Sequence, residues 1–269
     1  MISKEAKARH RAAMRPKNTK KAFVARVKRI IAKNEETKYV AEQLLDSQLA
    51  SPVPNPYVNF NSPINTQADW YRCLPLLTQG DDGYQRIGNQ VKPTTVKLHL
   101  HFSFSPSVLD TNCRDIFVVL YVLKARAQNA YPTTTPGGAL TTNYATYLDN
   151  GDGTDTYFAL QCDAVKPINK DAVVLKAKRV IRLFKPFGVQ NTNTTGSTVV
   201  AADAKYCADT TITWKIKKPL KYDTKTATVP TNFADCWAAG YYYSDGSSAD
   251  TRGGLLRVTA RTEMWYKDD

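Results

Sequence analysis

Residues 79–104, QGDDGYQRIGNQVKPTTVKLHLHFSF, have the clearest structural pattern in this chain. The apolar residues of the second half fall at every second position: Val96, Leu98, Leu100, Phe102 and Phe104. A period of two predicts a long strand that buries one face and turns the other toward solvent or a partner. The glycines and aspartates of the first half, from Gly80 to Gly83, predict a tight turn that leads into the strand.

The turn ends in the motif Gln85-Arg86-Ile87-Gly88-Asn89, and the long alternating strand follows at once. A loop of this kind in front of such a strand resembles the capsid proteins of small circular Rep-encoding single-stranded DNA viruses. The rest of the chain resembles that family in layout rather than residue by residue. The matching residues are Gln79, Gly80, Gly83, Gln85, Arg86, Ile87, Gly88, Asn89 and Val91.

The resemblance implies a basic N-terminal arm followed by a single jelly-roll β-sandwich. It also implies that copies of the chain, about 60 or a multiple of that number, assemble into a closed icosahedral shell. In such a shell the arm lies inside and packages single-stranded DNA. The implied location is the virion, with assembly in the host nucleus.

The net charge of +13 is concentrated at the N-terminus. Residues 1–38 hold 13 Lys and Arg against three Glu, or +10, whereas residues 39–69 hold three acidic residues and no basic one, or −3. The remainder carries 24 basic and 18 acidic side chains, or +6. Residues 1–38 are therefore predicted to be an arm that binds a polyanion. Aromatic residues near it are scarce (Phe23, Tyr39), so base stacking by the arm itself is expected to be minor.

An amphipathic helix is predicted within the arm, at about residues 18–33. Phe23, Val27, Ile30 and Ile31 recur at the spacing of one helical face, and basic residues occupy much of the remainder. Three interpretations remain open: a nucleic-acid-binding helix, a membrane-surface helix and a plain solvated tail. The apolar face is narrow and lacks Trp, which favours nucleic acid, and no membrane partner is expected.

The cationic side chains assigned to nucleic acid come from the arm and from two strands of the body. In residues 172–185 and 211–218, Lys and Arg alternate with apolar residues and so occupy a polar face. Arg179 falls out of step and is predicted to mark a β-bulge. The last strand repeats the pattern with Arg257 and Arg261, and an ordinary solvated sheet face is the alternative explanation throughout. The assigned residues are Lys4, Lys7, Arg9, Arg11, Arg15, Lys17, Lys20, Lys21, Arg26, Lys28, Arg29, Lys33, Lys176, Lys178, Arg182, Lys215 and Lys217.

The body is predicted to be all-β, a single jelly-roll β-sandwich over residues 69–269 with Greek-key crossings. Residues 39–68 are rich in Pro and Asn, so they are predicted to be an extended linker, and the body is expected to fold without them. The strand within 115–125 holds eight consecutive apolar residues and is expected to be buried on both faces. The predicted strands are 70–77, 91–105, 115–125, 157–162, 172–185, 208–218, 237–244 and 255–267, with surface loops at 131–153 and 190–197.

Several classes of protein are disfavoured. No apolar run reaches the ~20 residues that a membrane helix needs, and nothing at the start resembles a signal peptide. The cysteines form no Cys-x-x-Cys pair, so neither a zinc site nor a redox motif is predicted, and reduced thiols are expected. They are Cys73, Cys113, Cys162, Cys207 and Cys236.

His99 and His101 share one face of the alternating strand, which suits a metal, but His10 is the only other histidine and the ligand set is incomplete. Tyr222-Asp223-Thr224-Lys225 resembles the nucleophile motif of rolling-circle nickases, although the phosphate loop of the associated helicase is missing. No metal, cofactor or catalytic residue is predicted, so the chain is not expected to be an enzyme. The alternatives to a capsid protein are a non-viral nucleic-acid-binding β-sandwich, a plain soluble binding module and, less favoured, such a nickase.

Overall fold

The structure of the chain is a computed structural model. It describes residues 21–27, 36–46, 70–104, 115–131, 147–149, 151, 154–155, 161–183, 205, 207–245 and 256–268. This part of the chain is built mainly from antiparallel β-strands, so the predicted all-β class is confirmed. The strands are β1 (Lys38–Asp46), β2 (Tyr71–Arg72), β3 (Gln90–Phe104), β4 (Ile116–Ala125), β5 (Leu148–Asp149), β6 (Thr154–Asp155), β7 (Val173–Leu183), β8 (Cys207–Trp214), β9 (Leu220–Lys221), β10 (Cys236–Tyr243) and β11 (Leu256–Asp268).

These strands form two main sheets. The first sheet has the order β1-β11-β3-β8, with β9 also paired to β3, and the second has the order β2-β10-β4-β7. Each early strand pairs with a late one: β1 with β11, β2 with β10, β3 with β8 and β4 with β7. All four pairings are antiparallel, so the chain forms hairpins that lie one inside another and are divided between two sheets.

β3 confirms the alternating prediction. Its apolar side chains Val96, Leu98, Leu100 and Phe102 are at most 2% exposed, whereas His101 between them is exposed. The strand is flanked by β11 on one side and β8 on the other, so it lies in the interior of the first sheet. Its buried side chains belong to a single core that also includes residues of β4 and β10.

The second sheet is buried on both faces at β4 and β10, as the apolar run of β4 predicts. Every residue of β10 is buried, and so are six consecutive residues of β4. Tyr147 helps to cover this sheet, since its ring packs against Trp70 and Tyr121 with centroids 5.1 and 5.3 Å apart. The predicted surface loop 131–153 is therefore wrong at Tyr147 and Leu148, which are fully buried.

β1 corrects the predicted linker at residues 39–68, because residues 38–46 form an edge strand of the first sheet. β1 pairs with β11 along its length. Its Glu42 carboxylate accepts hydrogen bonds from the buried Arg72 guanidinium and, at 2.6 Å, from the Leu76 amide. The folded domain thus begins upstream of its predicted boundary, and the rest of the predicted linker lies outside the described residues.

β7 contains the predicted bulge, but at Lys176 rather than at Arg179, because the pairing with β4 shifts between Leu175 and Ala177. Because the bulge inserts one extra residue, the side chains on one side of it lie on the opposite face from the one that simple alternation predicts. Leu175, predicted to be in the core, is consequently 40% exposed. Arg179 turns toward the first sheet and donates a hydrogen bond to the hydroxyl of Thr210 on β8.

Two predicted strands differ from the structure in the residues that it describes. The segment 70–77 contributes only the two residues of β2, since Pro75 cannot donate to a ladder. The end of the segment 157–162 forms a 3-10 helix, Gln161–Ala164, instead of a strand. Its Asp163 is fully buried and pairs with Lys166 at 2.7 Å, which closes the turn locally.

The predicted arm helix is α-helical at residues 21–27. The rest of the predicted helix, about residues 18–33, lies outside the described part of the chain, as does the predicted loop 190–197. Within residues 21–27, Phe23 is 69% exposed and Val24 is 50% exposed, so neither of these side chains is packed into the domain.

The Gln-Arg-Ile-Gly-Asn motif closes around the side chain of Arg86, which is fully buried. One terminal guanidinium nitrogen donates to the carbonyl of Gly88 at 2.6 Å and to the side-chain oxygens of Gln79 and Asn89 at 3.2 and 3.3 Å. The other nitrogen donates, at 2.7 to 3.2 Å, to three carbonyls between β9 and β10, those of Thr224, Lys225 and Ala227.

Further contacts make this loop a structural connector. The Arg86 guanidinium lies 4.4 Å from the centroid of the Tyr222 ring, and burial lowers the pKa of Arg86. Lys38, the last residue of the predicted arm, donates to the Gln85 carbonyl at 2.9 Å and pairs with Asp268 at 2.8 Å. The loop therefore ties together the start of β1, the end of β11 and the segment after β9.

Candidate nucleic-acid interface

The first sheet turns one face away from the core. On this face the polar residues of β3 alternate with the buried ones, and the strand register brings their neighbours on β1, β8 and β11 beside them. We call this surface the outer face. Its described side chains include Tyr39, Lys97, His99, His101, Asp209, Thr211, Arg261, Glu263 and Trp265.

An aromatic pair lies at the part of the outer face where β1 begins. Tyr39 and Trp265 have ring centroids 4.9 Å apart with planes inclined by 49°, and Tyr39 is 38% exposed. Lys97 Nζ lies 4.9 Å from the centroid of the Trp265 ring, a cation–π contact. Arg261 donates to the Tyr39 hydroxyl at 3.0 Å and pairs with Glu263 at 3.2 Å. Partly exposed rings flanked by cations are the components of a single-strand-binding surface.

His99 and His101 lie on the outer face, as predicted, and each contacts a different carboxylate. His99 Nε2 is 3.3 Å from Glu263 Oε2, and its Nδ1 is 3.1 Å from the Thr211 hydroxyl. His101 Nδ1 is 2.7 Å from Asp209 Oδ1. In the described ranges, no three His, Cys, Asp or Glu side chains form a group that could hold a metal ion. Ordinary polar contacts account for both histidines.

The predicted arm cations are mostly outside the described part of the chain. Lys21 and Arg26 are the exceptions, and both are exposed on the helical segment 21–27. Those not described are Lys4, Lys7, Arg9, Arg11, Arg15, Lys17, Lys20, Lys28, Arg29 and Lys33.

The three predicted cations of β7 belong to the second sheet, and two of them have local partners. Lys178 is half-buried, donates to a backbone carbonyl and has its pKa lowered by burial. Arg182 forms an ion pair with Asp115. Burial raises the pKa of the Asp235 carboxyl, and the positive charge of Lys176 offsets part of that rise. These residues thus contribute to the charge balance of the second sheet.

Lys215 and Lys217 are exposed just beyond the end of β8, which belongs to the first sheet. The body cations that were predicted to form one nucleic-acid face are therefore divided between two sheets. The alternation along a strand shows which side chains share a face, but it does not show which sheet the strand joins.

Sequence reasoning did not assign Tyr39, Lys97, Arg261 and Trp265 to a site. Lys97 and Arg261 are recognisable as polar residues of alternating strands, but Tyr39 falls within the predicted linker. The four side chains come together only because β1 and β3 pair with opposite edges of β11. That arrangement is long-range, so no local pattern could have identified the cluster.

No helix within the described ranges is long and apolar enough to cross a membrane. No protein-family model matches this chain, and no curated protein matches it. Among solved structures, the chain is similar to the crystal structure of the SeMet-labelled mavirus penton protein, with 12% sequence identity and a TM-score of 0.21, over 87% of this chain and 100% of that chain. A TM-score of this size does not establish a shared fold, so the functional argument depends on the residues of this chain.

Proposed function

We propose that this protein is the capsid subunit of a small circular single-stranded DNA virus. In this proposal the body is a jelly roll that self-assembles into an icosahedral shell, and the basic arm packages single-stranded DNA inside it. The protein has no catalytic role and is located in the virion, with assembly in the host nucleus.

The nested strand pairing carries the proposal. A jelly roll consists of eight strands in two sheets built from Greek keys, and viral capsid domains commonly have this fold. The eight strands β1, β2, β3, β4, β7, β8, β10 and β11 are divided equally between two sheets here. Pairing of the first with the last, the second with the next to last, and so on inward is the pattern of one long hairpin rolled over.

The charge distribution supports the packaging role. Lys38 is used inside the fold, so the segment assigned to packaging is residues 1–37, with 12 Lys and Arg against three Glu, or +9. Many such arms collected at one inner surface would neutralise a packaged polyanion without reading its sequence.

The first expected result concerns assembly. The purified full chain, mixed with single-stranded DNA, should form uniform closed particles in negative-stain electron microscopy, because a capsid subunit is self-complementary. Particles of one diameter would support the capsid proposal. A protein that binds single strands but stays monomeric or forms small complexes would instead be a non-viral nucleic-acid-binding β-sandwich.

The second expected result concerns the salt dependence of DNA binding by unassembled subunits. Each phosphate contact of a single strand contributes a log–log slope of about −0.7, so engagement of roughly 6 to 10 arm cations predicts a slope of about −4 to −7. Replacement of five arm cations by Gln should flatten the slope by about 3 and weaken all sequences alike. The residues to replace are Lys20, Lys21, Arg26, Lys28 and Arg29.

Fluorescence anisotropy with unrelated oligonucleotides over a salt series measures this slope. Lys215→Gln with Lys217→Gln is the matched control, since it removes two exposed charges from the body and should flatten the slope by about 1. A shallow slope combined with a strong preference for one oligonucleotide would contradict the arm proposal, because base readout would then carry the binding.

A further inference from the structure

Trp265 and Tyr39 differ from the large aromatic residues of the core. Trp70 and Trp237 are fully buried, whereas Tyr39 is 38% exposed and Trp265 is partly exposed on the outer face. A partly exposed pair with centroids 4.9 Å apart leaves ring surface for a partner. Bases of single-stranded nucleic acid stack on such rings largely independently of sequence, since every base has a flat π face.

A shallow pocket of about 330 Å³ lies beside this pair. Trp265 forms one wall, and three threonine residues supply hydroxyl groups that can bond to a sugar or to the edge of a base. The Thr94 hydroxyl already donates to the Trp265 carbonyl at 3.0 Å, so it is available to a ligand as an acceptor. Lys97 also lines the pocket, with Nζ 4.9 Å from the Trp265 centroid. Its stem is flexible, so the ammonium can move from the ring to a phosphate attached to a bound nucleotide. The threonines are Thr37, Thr94 and Thr95.

The position of the arm indicates what occupies the pocket. Thr37, which lines it, directly follows the segment that carries a net charge of +9. A polyanion gathered by that segment is held beside Trp265 at high effective concentration. Lys97 and Arg261 add positive charge at the rings themselves, with Glu263 as the acidic residue next to Arg261.

We propose that Tyr39 and Trp265 stack against bases of the single-stranded nucleic acid that the arm recruits, while Lys97 and Arg261 contact its phosphates. This inference rests on the proposed packaging function and extends it, because the arm contacts the backbone whereas the ring pair contacts bases. The body of the subunit then takes part in holding the strand.

A comparison of two oligonucleotides separates stacking from charge. An oligo(dT) strand and an abasic strand of the same length carry the same phosphates, so the arm binds both, but only oligo(dT) offers bases. In fluorescence anisotropy with the full chain, we expect oligo(dT) to bind about 5- to 150-fold more tightly, as one stacked base predicts. Trp265→Ala should reduce this ratio in part, and Trp265→Ala combined with Tyr39→Ala should reduce it to about one without changing the salt slope.

Control variants guard against a loss of folding. Trp265→Phe keeps an aromatic ring and should keep most of the ratio. Tyr84→Ala removes a 57% exposed aromatic residue outside the outer face and should leave the ratio unchanged. Neutralisation of the arm should weaken both strands equally and preserve the ratio, so the two proposals fail in different ways.

If the wild-type protein bound oligo(dT) and the abasic strand equally well, the stacking site would be overturned, even with a steep salt slope. This outcome would follow if the residues before Thr37 covered the rings or if bases did not contact them. A ratio that survives the removal of both rings would also overturn the stacking site. A high ratio with a shallow slope would support the stacking site and contradict the arm.

Discussion

A protein that starts at residue 47 is expected to lose its cooperative fold, whereas a protein that starts at residue 36 should keep it. The two differ only by β1 and the short stretch before it. This result would reverse the expectation from sequence that the body folds without its first 68 residues.

The fold is expected to depend on β1 because this strand forms an edge of the first sheet and supplies the carboxylate that pairs with the buried Arg72. It pairs with β11 along its length, so its removal leaves the long β11 as an unpaired edge prone to aggregation. It also carries Glu42, which pairs with the Arg72 guanidinium, itself only 2% exposed. An unpaired buried charge costs about 3 to 5 kcal/mol, a large part of the roughly 5 to 15 kcal/mol that stabilises a whole domain.

Far-ultraviolet circular dichroism and urea unfolding of both truncated proteins measure the difference. Glu42→Gln in the longer protein is the intermediate case, since it keeps the strand and removes the charge. We expect it to lower the free energy of unfolding by about 2 kcal/mol. Equal unfolding midpoints and equal slopes for the two truncated proteins would show that β1 is dispensable.

Replacement of Arg86 by Met is expected to destabilise the protein by about 3 to 5 kcal/mol. Methionine fills a similar volume but donates no hydrogen bond, so the three carbonyls between β9 and β10 and the Gly88 carbonyl lose their partner. Arg86→Lys should also be destabilising, because an ammonium lacks the planar fork that reaches both segments.

Urea unfolding monitored by tryptophan fluorescence gives the free energy. Arg182→Met is the matched control. The Arg182 side chain is 57% exposed, so its ion pair with Asp115 should contribute at most about 1 kcal/mol to stability. If Arg86→Met were as stable as Arg182→Met, the motif loop would not be the connector that its contacts indicate. Loss of DNA binding with unchanged stability would instead make Arg86 a ligand-binding residue.

Burial was predicted correctly where the residue pattern of a single strand is enough to indicate which of its faces are buried. β3 alternates apolar and polar residues, and β4 has an unbroken apolar run, so their burial on one face and on both faces followed directly. β1 was missed because Glu42 follows the buried Val40 on the inward face and breaks the apolar alternation that would predict a strand. An acidic residue is tolerated there only because the chain returns Arg72 to the same place.

The bulge of β7 shows the limit of local periodicity. The composition indicated that one residue was out of step, but the choice between Lys176 and Arg179 depends on the partner strand, since a bulge is defined by two residues facing one. The assignment of β7 and β8 to different sheets likewise separated cations that look equivalent in sequence.

Composition and side-chain alternation along one strand were enough to predict the all-β class, the strongly basic N-terminal segment, the main strands and the buried faces of β3 and β4. The long-range pairing of strands was needed to show that residues 38–46 belong to the domain, that Arg86 joins two distant segments, and that Tyr39, Lys97, Arg261 and Trp265 form one cluster. Those features depend on pairing between strands far apart in the chain. Such pairing is set by the register and packing of the whole sheet rather than by any local stretch.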